Sequence, residues 1–108
     1  MRRGDIVTVS VPGDYGKPRP AVVIQSDRLA ETDSVLLCLV TTTIRDAPLY
    51  RIGVSPGPVT GLRDESQVMV DKIMAVKRAN CGQPVGRLEH PAMLALNRTL
   101  ALVTGLAD

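Results

Sequence analysis

The stretch Gly16-Lys17-Pro18-Arg19-Pro20-Ala21-Val22-Val23-Ile24 decides how the chain is read. Ala21 to Ile24 is a short apolar run rich in β-branched residues, the signature of a buried strand. Two prolines flank Arg19 just before it. Proline fixes its own φ and pushes the preceding residue into extended geometry, so Arg19 is held in a stiff segment at the mouth of a core strand. Its guanidinium stays charged at any working pH and offers a planar fork of donors. Two roles are open to it: pairing with a carboxylate near the strand end, or binding a phosphate.

Working outward, Asp5 to Val11 alternates Ile, Val and Thr and predicts a first strand, and Pro12 to Gly16 is a cluster of turn formers. The second strand spans Pro20 to Gln25, and the polar Ser26 to Asp33 predicts a loop. Ser34 to Val40 is the most apolar run and predicts a central strand that ends in Thr41-Thr42-Thr43. Leu49 to Val54 reads as a shorter strand, broken by Ser55-Pro56-Gly57-Pro58. Ser66 to Val76 predicts a long bending strand, with Val68, Val70 and Lys72 facing one way and Met69, Asp71 and Ile73 the other. Asn80 to Pro84 reads as a turn, and Val85 to Leu88 as a short edge segment. Then comes one helix: Pro91 suits its first position, Met93, Leu96, Leu100 and Val103 form one apolar stripe, and Gly105 stops it. His90, the sole histidine, belongs to the helix entry. About five short strands and a terminal helix predict a mainly β fold, a small bent barrel of the SH3-like kind with a helix packed on it.

With 108 residues the chain fits one domain, 1–108, and one modest core. Phe and Trp are absent, so Val, Leu, Ile, Met and Ala must build that core. A net charge of +2 does not by itself imply nucleic-acid binding; a local basic patch would have to do so. No apolar run approaches a membrane span and Asp5 interrupts any signal peptide, so a cytoplasmic address and no membrane partner are expected. Cys38 and Cys81 lack metal-type spacing and are expected as free thiols, Cys38 in the core and Cys81 in a turn.

Gly4-Asp5-Ile6-Val7, Gly16 with Arg19-Pro20-Ala21-Val22-Val23-Ile24, a strand ending in Thr41, Gly61-Leu62 with Ser66, and Asp71-Lys72-Ile73 form an ordered series. Together they resemble the PemK/MazF-like toxins of type II toxin–antitoxin systems, over nearly the whole chain. The resemblance implies an SH3-like barrel that forms a homodimer. It also implies a toxin that acts as a sequence-specific, metal-independent endoribonuclease on single-stranded RNA, usually mRNA. No cofactor is implied, and a cognate antitoxin occupies the RNA groove. Carried over residue by residue, Arg19 matches the catalytic arginine and Thr41 the catalytic threonine. Asp14, Tyr15 and Lys17 are the candidates for a further residue in the first loop. Thr42 and Arg45 are further candidates for contacting substrate. Lys72 stands where some members carry glutamine, which leaves the base preference open.

The chemistry is consistent with those residues. Metal-free cleavage needs removal of the 2′-OH proton, a cation for the pentavalent phosphorus and a proton for the leaving 5′-oxygen, giving 2′,3′-cyclic phosphate and 5′-OH ends. One histidine excludes a histidine pair as acid and base. Arg19 supplies the cation and Thr41 a hydroxyl donor; Asp14 or Tyr15 is available for the proton. Lys17, Arg19, Arg45 and Lys72 would line a basic groove, whose affinity falls with salt. Two rival readings come from other classes. A gyrase-poisoning toxin of the same barrel acts through its C-terminal helix, but the tail Val103 to Asp108 lacks the tryptophan that group uses. An SH3-like interaction module needs an aromatic groove, which two tyrosines hardly build.

Overall fold

The computed structural model describes residues 1–13 and 17–108. Six strands appear in chain order: β1 (Asp5–Val9), β2 (Arg19–Val23), β3 (Ser34–Thr41), β4 (Arg51–Val54), β5 (Ser66–Lys77) and β6 (Cys81–Arg87). One helix, α1 (His90–Val103), follows. The strands form one antiparallel sheet in the order β4-β5-β3-β2-β1-β6, strongly bent rather than closed. None of the described helices is long and apolar enough to cross a membrane.

Alternation along the strands sends side chains into two cores, one on each face of the sheet. Ile6, Val22, Cys38, Val40, Ile52, Val54, Val68 and Val70 share the first with Leu88 and Leu96. The helix covers this face: Leu96 is fully buried, and Met93, Leu100 and Val103 pack around it, as the predicted stripe requires. Gly105, at φ +81°, ends the helix in the left-handed conformation that costs glycine little. The second core holds Val7, Val9, Ala21, Val23, Val35, Leu37, Leu39, Met69 and Val76, all strand residues, so the bend of the sheet encloses it.

The structure corrects the sequence reading in four places. Cys81 to Pro84 is not a turn: only Asn80 closes a short 3₁₀ turn, and Cys81 to Pro84 joins the predicted edge segment in one strand, Cys81–Arg87, paired with β1, with Cys81 half-buried in it. Edge strands accommodate Gly82 and Pro84, which suggested a turn. Gly86 is required there, because a Cβ would fall 2.1 Å from the Thr60 carbonyl oxygen of the loop that crosses this edge. Second, Leu49 and Tyr50 belong to a turn in which Arg51 N–H donates to the Ala47 carbonyl, so β4 begins only at Arg51. Third, Arg19 lies within β2, and β1 ends at Val9.

The fourth concerns β5. Val68 and Val70 enter the first core, whereas Met74 and Val76 enter the second. A bulge reverses the alternation: Val40 pairs with Val68, but Cys38 pairs with Ile73. Lys72 lies in this bulge, so it does not simply continue the face of Val68 and Val70.

Candidate active site

Pro20 organises the site. It pairs with Thr8 of β1, but it has no N–H to donate, and the ladder between β2 and β3 stops at Ala21↔Leu39. Beyond that point the two strands are free to part. Carried two residues further in the same register, Arg19 stands opposite Thr41. Thr41 in turn pairs with Gln67 of β5, and Arg19 with Val9 of β1. Val9, Arg19, Thr41 and Gln67 thus form one row across four neighbouring strands. Alternation puts their side chains on the same face, that of the second core. Both side chains therefore project from the mouth where β2 and β3 separate, on one face of the sheet.

Both residues are half-buried, partly screened from water yet open to a ligand. Arg19 is itself engaged within the molecule. The Thr41 hydroxyl oxygen accepts the N–H of Thr43 at 3.1 Å. An oxygen that accepts along one direction keeps its own proton for another partner.

The segment after Thr41 is pinned from β4 and β5. The Gln67 carboxamide accepts from Arg45 N–H at 3.1 Å and donates to the Arg45 carbonyl at 2.9 Å. Arg51 Nη1 donates to the Thr43 carbonyl and to Gln67 Oε1, both at 3.0 Å. Sequence reasoning missed both residues. Gln67 gave only a faint signal, a carboxamide near the start of an apolar strand. Arg51 gave none beyond its place in an alternating run.

The remaining candidates fall as follows. Lys17 is exposed two residues before Arg19, and Thr42 and Arg45 are exposed just after Thr41. All three lie within four residues of Arg19 or Thr41 along the chain. Lys72 is exposed beside Ile73, whose partner Cys38 is three residues back along β3. At ~3.3 Å per residue it is about 10 Å along the sheet from Thr41, beyond reach of the same ligand atom. Asp14 and Tyr15 lie outside the described residues.

A cavity of about 510 Å³ lies between β4 and α1, lined by Ile52, Ser55, Pro91 and Thr99 among others, but neither Arg19 nor Thr41 lines it. Among the described residues no group of His, Cys, Asp and Glu is arranged to hold a metal ion. Both cysteines are free. Burial, with the nearby Asp71 charge adding to it, pushes the Cys38 thiol up to about 11. Burial also raises Cys81, partly offset by Arg78. Neither is a ready nucleophile at neutral pH.

Comparison with known proteins places these features in a family. Residues 2–104 match the model of the PemK-like, MazF-like toxins of type II toxin–antitoxin systems. The chain is 45% identical over 108 residues to a probable endoribonuclease MazF of Mycolicibacterium smegmatis, covering 99% of each. In fold it is similar to an endoribonuclease solved in complex with its cognate antitoxin from a mycobacterial species, with a TM-score of 0.80 at 24% identity over 98% of this chain and 96% of that one. The Mycobacterium tuberculosis toxin MazF-mt6 gives a TM-score of 0.80 at 20% identity, covering 94% of this chain and 96% of that one. A MazE–MazF complex from Deinococcus radiodurans gives 0.76 at 18% identity, covering 97% and 96%.

Proposed function

The chain belongs to the PemK-like, MazF-like toxins of type II toxin–antitoxin systems, and from that premise we propose that it is a metal-independent endoribonuclease that cuts single-stranded RNA, mRNA above all, at a site built on Arg19 and Thr41. One observation supports the assignment of the site: the β2–β3 register ends at Ala21↔Leu39, and carried two residues further it sets Arg19 beside Thr41 on one face.

The reaction runs by transesterification. The 2′-oxygen attacks the adjacent phosphorus, a P–O bond forms, and the bond to the 5′-oxygen breaks. The products carry a 2′,3′-cyclic phosphate and a 5′-OH. Negative charge grows on the non-bridging oxygens as the phosphorus becomes pentavalent. Arg19 meets that charge with a fixed cation, and Thr41 donates its free hydroxyl proton to one of the same oxygens. Asp14 and Tyr15, which the sequence supplies to the β1–β2 loop, are the groups available for the proton transfers. Lys17 and Arg45 hold the flanking phosphates, and Lys72 a more distant one.

The partners follow from the same reading. A cognate antitoxin neutralises the toxin by covering this site. A second copy of the chain forms a homodimer, which removes the exposed Leu36 and Ile73 from water.

The test is cleavage of a single-stranded RNA by the purified protein in EDTA, with the new ends analysed chemically. Wild type cuts and leaves cyclic phosphate. Arg19→Ala cuts about 10²–10³-fold more slowly, the usual loss for one preorganised donor. An Arg19→Ala variant as fast as wild type overturns the assignment.

A further inference from the structure

We infer that Gln67 and Arg51 are positioning residues for this cleavage, acting through Thr41; the inference rests on the reading of the preceding subsection. Gln67 is the register partner of Thr41, yet its carboxamide does not bond the threonine. Instead it grips the backbone of Arg45 from both sides, as a neighbouring strand would, although Arg45 lies outside β3. Arg51 is only 9% exposed, and one of its nitrogens joins the Gln67 carboxamide to the Thr43 carbonyl. With Thr43 and Arg45 both fixed, the Thr43 N–H is held toward Thr41 Oγ1. With one direction of Oγ1 taken by that N–H, the hydroxyl keeps its proton for a ligand on the Arg19 side of the strand.

Fold stability alone gives little reason for this arrangement. A buried guanidinium is costly to desolvate, and Arg51 Nε finds no acceptor among the described residues. An apolar pair at these positions would pack the second core without that penalty. What the polar pair supplies is direction: it fixes the path of the segment that carries the Thr41 partner. A catalytic donor misaimed by a small amount loses much of its effect.

The experiment compares kcat and KM for RNA cleavage across Gln67→Met, Arg51→Lys, Thr41→Val, Arg19→Ala and the double variant Gln67→Met/Thr41→Val, with thermal melts of each. Gln67→Met is expected to lower kcat by about 10- to 100-fold while KM changes less than about threefold. In the Thr41→Val background the same change is expected to lower kcat by less than about twofold, because the group it aims is already gone. Arg51→Lys keeps the charge but loses the fork, and an intermediate loss of kcat is expected. It carries the test if Gln67→Met fails to fold.

Wild-type kcat in Gln67→Met and Arg51→Lys, with Arg19→Ala inactive, overturns the inference and leaves the ribonuclease reading standing. An equal loss of kcat with and without the Thr41 hydroxyl also overturns it, since the pair would then support only the fold. Unimpaired cleavage by Arg19→Ala instead removes the reading on which the inference rests.

Discussion

Two rows cross the middle of this sheet, only three residues apart. Ile6, Val22 and Cys38 form one, in the direct register of β1, β2 and β3. Val9, Arg19, Thr41 and Gln67 form the other, on the opposite face. Backbone geometry is common to both. The first row is filled by close packing, which has magnitude but little direction. The second is filled by hydrogen bonds and charge, which act only along particular lines. A sheet can thus put close packing and directional chemistry on the same strands if they occupy different rows. The two rows should therefore fail in different ways when perturbed.

The largest expected effect is on the packed row. Ile6 is fully buried, and Ile6→Ala should cost about 2–5 kcal/mol of stability by denaturant unfolding. The folded fraction should keep its kcat; a proportionate loss of kcat would blur the distinction. Thr41→Val on the polar row should do the reverse. Removing a hydrogen bond to a charged group should raise the barrier by about 1.5–3 kcal/mol, roughly 10- to 150-fold in kcat, with little change in the melting temperature. A large melting shift would make Thr41 a structural strand end.

Salt should separate the rows again. If Lys17, Arg19, Arg45 and Lys72 each meet one phosphate, the logarithmic salt slope of RNA affinity is roughly −3. Binding then weakens about fiftyfold between 50 and 200 mM salt, while unfolding stability moves little. A flat titration would remove the basic groove. The smallest effect belongs to Cys38. Its folded-state value of about 11 exceeds the unfolded 9.0. The unfolded chain loses that proton first, so stability is complete below pH 9 and falls as the pH rises toward 11. Cys38→Val should flatten part of that fall in pH-dependent melts; an unchanged slope would show that Cys38 does not contribute.

Much of the fold was legible because its signals are local. Runs of β-branched residues marked β1, β2, β3 and most of β5, and a stripe between Pro91 and Gly105 marked the helix. Val85 to Arg87 was read as an edge segment, but the first half of β6 was misread because Gly82 and Pro84 are turn formers when read alone. They suit an edge strand, and at Gly86 the crossing loop that requires glycine comes from Thr60, far away in sequence. The reversal within β5 was hidden for a similar reason, since a bulge is a property of pairing. The site divides along the same line. Arg19 announced itself through its flanking prolines, and Thr41 through its place at the end of the central strand. Gln67 and Arg51 acquire their roles only from a register that sets Gln67 beside Thr41, 26 positions earlier in the chain.

The central claim is that one cation and one hydroxyl act on a single phosphate, and a double-mutant cycle on RNA cleavage tests it most directly. Rates in EDTA are compared for wild type, Arg19→Ala, Thr41→Val and the double variant. Groups that meet the same oxygens depend on each other, so the double variant should be only a few-fold slower than Arg19→Ala alone. A double variant slowed by the full product of the two single losses would mean that the two side chains act independently, and would contradict the shared site.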